Sequence, residues 1–366
     1  MVPTRIGVIG CGYWGPNLIR NFVEIPTTTV DAVADLDPDR LSHVRERYPQ
    51  IVHAVRDYRA LFDLELDGVV VSTPPETHFA VVRDCLEHGL HVLVEKPLVT
   101  KSEHARELIE LADRRGLILM VGHTFEFNPT VHALRELITS GELGEILYID
   151  AVRTGLGLFH PSLNVIWDLA PHDISIATHL LGAKPLSVAA RGLACLNGHV
   201  EDVAYLTLMF PGGVLHHVRL SWLDPSKTRR VTVIGSRKMA VYDDVEPLEK
   251  LRIYDKRVDS IRHTDTFGEF QFAYHYGNVV IPHIRFEEPL RLECLHFADC
   301  IRQGTTPSTD ARNGLVVVEA IEAAQRSLAA GGTTMTLRAE VAESDDTRMI
   351  ADGLTLLADD GGVGVG

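Results

Sequence analysis

The stretch GVIGCGYWGPNLIRNF, residues 7–22, sets Gly10, Gly12 and Gly15 at G-x-G-x-x-G spacing between an apolar run and a segment of helical apolar period. Each glycine has its own task. Gly10 allows a tight turn, Gly12 lets the backbone approach a pyrophosphate, and Gly15 lets a helix pack closely on a strand. Free N–H groups and the positive end of the helix dipole then face the phosphates. Tyr13 and Trp14, inside the turn, join the glycines as candidate cofactor contacts. Further on, a second strand-like run ends at Asp35, where this arrangement expects an acid on the ribose hydroxyls. A carboxylate there repels a 2′-phosphate, and Leu36-Asp37-Pro38 supplies no arginine before Arg40, so NAD is expected rather than NADP.

Outward from this unit, short apolar runs (6–9, 30–34, 68–72, 91–94, 117–121) alternate with amphipathic segments such as 76–87 and 102–115. That alternation predicts a parallel sheet covered on both faces, a doubly wound Rossmann domain over residues 1–124. Beyond Asn128-Pro129, which reads as a helix cap, longer strand-like runs take over (145–153, 203–210, 214–221, 230–234), two of them joined by the turn Pro211-Gly212-Gly213. An α+β domain with a mostly antiparallel open sheet is therefore expected over 125–337. Two late helices, 292–302 and 314–330, are expected to cover one face of that sheet.

Composition limits the partners. Fifty acidic against thirty-five basic residues give a net charge of −15, which repels polyanions and argues against nucleic acid. Residues 338–366, acidic and ending in glycines, read as a disordered tail. Five cysteines without C-x-x-C spacing favour a reducing compartment, and no apolar stretch approaches the roughly 20 residues of a membrane span. A cytoplasmic protein without a membrane partner or a metal site is expected.

Three further stretches bring chemistry to the carboxyl edge of the sheet, where open α/β sheets bind ligands. Ser72-Thr73-Pro74-Pro75 is held extended by its prolines, making Thr73, Pro74 and His78 candidates for lining the cofactor. Glu95-Lys96-Pro97 ends a buried strand in charge, which is costly unless the charges are paired or used. WDLAPHDISI, residues 167–176, places Asp168 four residues before His172 with Pro171 between them.

Together these stretches, in this order, resemble the glucose-fructose oxidoreductase and inositol dehydrogenase family, often written Gfo/Idh/MocA. The late segment FADCIRQGTTPSTDARNGLVVVEAIEAAQRS is similar to that family's C-terminal helices, and the resemblance spans roughly residues 4–337. It implies an NAD-dependent dehydrogenase acting on a secondary alcohol or ketone of a sugar, and a homodimer or homotetramer formed through the C-terminal sheet. Lys96 would bind the reacting oxygen, His172 would be the acid-base partner, and Glu95 would line the cofactor.

Proline is tolerated in a first helical turn, so Pro171 suggests a helix beginning at or just before it. His172 would then sit where the helix dipole favours a neutral ring, with Asp168, or alternatively Asp173, orienting it. His123, Arg153, Asn164 and Trp167 are weaker candidates for the substrate, Trp167 being equally readable as core. GCGYWGPNLIRNF and WDLAPHDISI look most like members acting on nucleotide-linked amino sugars, the UDP-N-acetylglucosamine 3-dehydrogenase kind. A free sugar or cyclitol dehydrogenase is the alternative, followed by an NAD-dependent glycosidase and a non-catalytic dinucleotide-binding regulator.

Overall fold

The computed structural model describes residues 2–157, 159, 163–196, 198–259 and 273–337; the acidic segment 338–366 lies outside the described residues. Strands β1 (Thr4–Ile9), β2 (Thr28–Ala34), β3 (His53–Val55), β4 (Gly68–Val71), β5 (His91–Glu95) and β6 (Leu119–Gly122) form a parallel sheet in the order β3-β2-β1-β4-β5-β6. The order reverses direction between β1 and β4, which opens a crevice at their carboxyl ends. Helices α1 (Gly15–Glu24), α2 (Pro38–Arg47), α3 (Pro75–Glu87) and α4 (Ser102–Arg115) make the crossovers. The central strands are apolar because both faces are covered: Val69, Val70, Val71, Val92, Leu93 and Val94 are at most 1 % exposed. The short edge strand β3 is too brief for alternation to reveal and was not expected.

After α5 (Pro129–Thr139), β7 (Ile146–Leu156) opens a second sheet. α6 (Val165–Leu181) follows, then β8 (Ser187–Leu193), β9 (Val203–Met209), β10 (Leu215–Ser221), β11 (Leu223–Gly235), β12 (Met239–Asp243), β13 (Leu251–Asp259) and β14 (Ala273–Val280). Two late helices, α7 (Pro289–Gln303) and α8 (Ala311–Ala329), precede β15 (Met335–Thr336). The sheet runs β14-β13-β12-β11-β7-β10-β9-β8-β15 and is antiparallel at every pairing except β7 with β10. The Pro211-Gly212-Gly213 turn does join β9 to β10, with φ of +77° and +79° at its glycines.

The late helices depart from expectation. α7 returns to the first sheet, where Leu290, Cys294 and Phe297 pack with Leu18, Ile19 and Phe22. The Phe22 and Phe297 rings meet edge-on, 6.4 Å apart. α8 serves both units: Ala311, Leu315 and Val318 join the core under the first sheet, and Val317, Ala320, Ile321 and Ala324 join the core of the second. At Gly314 a Cβ would lie 2.7 Å from Val121 Cγ2, so α8 approaches β6 closely enough to require glycine. α6 packs on the second sheet and against α8. Sequence periodicity located both late helices but could not say which apolar surface they complete.

His216 on β10 is 1 % exposed, and its Nδ1 meets no partner among the described residues. Burial, with a smaller push from His217, lowers its pKa from 6.5 to about 3. The unfolded chain therefore binds the proton more readily, so this site's contribution to stability is complete above the unfolded pKa and declines as pH falls below about 6.5. At pH 5 the loss is about 2 kcal/mol. Chemical denaturation of His216→Leu and wild type at pH 7.5 and pH 5 is expected to show a smaller acid-induced loss in the variant, by about that amount. Equal losses would remove His216 from the acid response.

Candidate active site

The glycine turn after β1 is shaped by contacts that leave no room for side chains. Gly10 has φ +98°, and a Cβ on Gly15 would lie 2.2 Å from the Gly10 carbonyl oxygen. Above Gly12 a Cβ would meet only the end of Arg40, at 3.4 Å. A backbone cradle open over Gly12 and closed under Gly15 suits a pyrophosphate. Ser72 secures the neighbouring loop, its hydroxyl donating to the Gly10 carbonyl at 2.8 Å. Tyr13 and Trp14 stand exposed on the solvent side of the turn, edge-on to each other at 5.7 Å.

Asp35 lies beside this cradle at the end of β2. Its Oδ2 accepts the Cys11 N–H at 2.6 Å and its Oδ1 the Asp37 N–H at 2.9 Å. Each oxygen keeps a lone pair for a ribose hydroxyl. Arg40, just past the Leu36–Pro38 loop, folds back to within 3.6 Å of Asp35 and 3.5 Å of Asp37. Thr73 is half-buried and Pro74 exposed at the same edge.

His78 does not present its ring to this crevice. It is fully buried, with Nδ1 2.9 Å from the Pro97 carbonyl and Nε2 2.8 Å from the Thr73 carbonyl. It ties the Ser72–Pro75 loop to the turn after β5 and is a support, which corrects its reading as a cofactor-lining residue. In that turn the Lys96–Pro97 peptide is cis.

Lys96 reaches across to α6. Its Nζ donates to the Asp168 carbonyl at 2.8 Å and to Asp168 Oδ1 at 3.2 Å, while Trp222 Nε1 donates to Asp168 Oδ2 at 3.0 Å. Asp168 therefore holds Lys96 and not the histidine ring. Asp173 does not orient the ring either: both its oxygens are taken by Arg153, at 2.8 and 3.1 Å, in a pair buried to 1 % and 5 % exposure.

The helix also begins earlier than expected. Asn164 caps it by accepting the Trp167 N–H, so Val165 is its first residue and Pro171 and His172 close the second turn. The dipole influence fades after the first turn and cannot govern His172. Burial does so instead, followed by the positive charges of Lys96, Arg153 and Arg229 and then His123, and together they hold its pKa well below 6.5. The residue is half-buried, and its ring stands 5.0 Å edge-on from Phe125 and keeps a buried Nδ1 without a partner among the described residues.

The weaker candidates separate into two groups. Arg153 and His123 belong to this cluster. Arg153 lies over Phe125 at 4.5 Å and is the strand-register partner of Arg229. His123 is 1 % exposed, and burial beside Lys96 pushes it down to about 3. Its ring nitrogens are closed off from solvent, so it does not face an open cleft as expected.

Asn164 is corrected to a structural role. Besides capping α6, its Nδ2 donates to Glu201 and Gln325. Trp167 packs against the cores of both units, as its alternative reading had it. Asn128 caps α5 through Thr130, and its Nδ2 donates to the Tyr242 hydroxyl. Sequence reasoning missed Trp222, Phe125 and Arg229, which reach the site only through pairing of distant strands or packing. Arg229 faces Arg153 across the β7–β11 pairing, a register that spacing along the chain does not disclose.

Residues 4–123 match the family described as oxidoreductase family, NAD-binding Rossmann fold, and residues 131–241 match the GFO/IDH/MocA C-terminal domain. The dTDP-3,4-didehydro-2,6-dideoxy-alpha-D-glucose 3-reductase of Saccharopolyspora spinosa is 34% identical over 256 residues, 66% of this chain and 75% of its own. The scyllo-inositol 2-dehydrogenase (NAD(+)) of Bacillus subtilis is 27% identical over 83% of this chain and 88% of its own. The UDP-N-acetylglucosamine 3-dehydrogenase of Acidithiobacillus ferrooxidans is 29% identical over 71% of this chain and 80% of its own. The solved structure of that enzyme superposes with a TM-score of 0.76, at 25% identity, over 90% of this chain and 99% of its own. The glycine cradle, the acid at the end of β2 and these likenesses agree, and the chain belongs to the Gfo/Idh/MocA family of NAD-dependent oxidoreductases, among its sugar and cyclitol dehydrogenases.

Proposed function

We propose that the chain interconverts a secondary alcohol and a ketone on a nucleotide-linked amino sugar, with His172 moving the proton and Lys96 stabilising the oxygen. The observation that carries the reading is that Lys96 Nζ binds Asp168 one helical turn before His172, so ammonium and imidazole converge from the two units. NAD, when bound, accepts or supplies the hydride. His172 is held neutral by burial and neighbouring cations, the form a base needs, and its buried Nδ1 leaves Nε2 to take the hydroxyl proton. The Lys96 charge steadies the developing alkoxide, and Asp168 and Trp222 hold that ammonium in place.

Arg229 supports the nucleotide-linked part of the reading. Its side chain is 39% exposed, its Asp244 partner is 3.5 Å away, and its charge bears on His172, so it offers donors to a phosphate beside the reacting sugar. The same reading includes protomer association through the second sheet, supported by exposed Leu147, Tyr148, Tyr205, Val258, Tyr274 and Tyr276. A reducing, cytoplasmic setting is supported by five free cysteines, four of them buried.

Following NADH absorbance with UDP-N-acetylglucosamine and with scyllo-inositol tests the substrate. Turnover is expected with the first, and turnover with the cyclitol alone would overturn the nucleotide-sugar assignment. Release of free sugar without net NADH would point to the glycosidase reading. His172→Ala and Lys96→Met are each expected to lower kcat about 100-fold or more while NAD still binds. A variant with near wild-type turnover would lose its assigned role. Arg229→Gln is expected to raise KM for the nucleotide sugar about tenfold with kcat kept, the loss of one charge-assisted contact. An unchanged KM would remove Arg229 from substrate binding.

A further inference from the structure

Beneath the Lys96 turn lies a second charged cluster that the reaction above does not use. Glu293 on α7 is 0 % exposed, and the Thr124 hydroxyl is the one donor that bears on its carboxyl among the described residues, without closing a hydrogen bond of full geometry. The charge that bears on it most is another acid, Glu95. Both carboxyls converge on the open face of Gly122 at the end of β6, where a Cβ would lie 3.2 Å from Glu293 Oε1 and 3.4 Å from Glu95 Oε2. With Glu293 fully buried and Glu95 half-buried in so confined a space, ionisation of both carboxyls at once is strongly opposed.

The surroundings decide which one keeps the proton. Glu95 adjoins Lys96 and accepts the Lys96 backbone N–H at 3.3 Å. Burial pushes Glu95 up, and the Lys96 charge and N–H oppose it, leaving it at about 7. Among the described residues no cation bears on Glu293. Burial raises it first and the Glu95 charge second; Glu126 on the turn 124–127 adds to this and Thr124 on the same turn opposes it. The neighbouring Cys294 thiol on α7 is likewise pushed up by burial and by both carboxyls. β6 contributes only Gly122, which has no side chain to separate the pair.

We propose that Glu95 and Glu293 share one proton at neutral pH, with the protonated Glu293 carboxyl donating to Glu95, and that Glu293 thereby positions the Glu95-Lys96-Pro97 turn at the cofactor edge. Glu293 acts through Glu95 and is a positioning residue. α7, the helix that returns to complete the first unit, thus supplies the acid that sets the charge beside Lys96. Of the two, Glu95 has a cation and an N–H beside it to favour its anion, so the single proton of the pair stays on Glu293.

The test needs only the chain and NAD, so it is independent of the substrate assignment. An amide mimics a protonated carboxyl as a donor, whereas leucine offers none. Glu293→Gln is expected to bind NAD within about threefold of wild type and to keep the Glu95 ionisation step near 7, while Glu293→Leu weakens NAD binding about tenfold or more. In the leucine variant the step moves up by about one pH unit or more, because Glu95 has lost the donor that stabilises its anion.

Difference infrared spectra of the protein without NAD report the carboxyls directly. Wild type is expected to keep a protonated-carboxyl band at about pH 8 that Glu293→Gln lacks. The proposal is overturned if that band survives in Glu293→Gln, if the glutamine variant loses as much NAD affinity as leucine, or if leucine behaves as wild type. Should the leucine variant fail to fold, the glutamine variant and its spectrum decide.

Discussion

The ion pair between Lys96 and Asp168 is the contact on which the cleft depends. One charge stands at the end of a strand in the first sheet and the other on the helix that covers the second, with side chains 14% and 27% exposed. A half-buried charge is tolerable only while its partner stays in place, so the pair resists separation of the two units at the point where chemistry is to occur. Asp168 spends its remaining oxygen on Trp222, which anchors the pair to the second sheet. The ammonium is thereby delivered to α6 in a defined place, and His172, one turn further on, inherits that placement.

Around His172 the structure sets cations in preference to acids, and each cation brings its own counter-charge: Asp168 for Lys96, Asp173 for Arg153, Asp244 for Arg229. The acids face away on their own pairs, so the imidazole experiences mainly the positive side. The neutral ring follows from burial first and from this arrangement second, and not from a helix end. The same logic operates with opposite sign beneath Gly122, where acids meet acids and a proton must be retained.

Much of this was legible in the sequence. The glycine turn, Asp35, the Glu95-Lys96-Pro97 turn and the presence of Asp168 and His172 one turn apart in one helix all rest on short-range spacing, and spacing survives folding. The misreadings share a cause. Proline is tolerated at a helix start, so Pro171 reads as one, yet Asn164 supplies the cap seven residues earlier and the helix carries the proline inside it. Asp168 was assigned to the nearest histidine because sequence offers only neighbours, whereas its partners Lys96 and Trp222 arrive from elements 72 and 54 residues away. Glu293 gave no signal at all, since nothing in LECLHFADC tells a buried acid from a solvated one.

The return of α7 to the first sheet has a consequence for how the molecule is made. The ribosome delivers β1 to β6 long before Leu290, Cys294 and Phe297 emerge, so the greasy flank of α1 around Leu18 and Phe22 waits through the synthesis of β7 to β14 for its cover. The nucleotide-binding half is the first to appear and among the last to be sealed. A nascent chain halted before residue 289 would display that uncovered flank to whatever else is folding nearby.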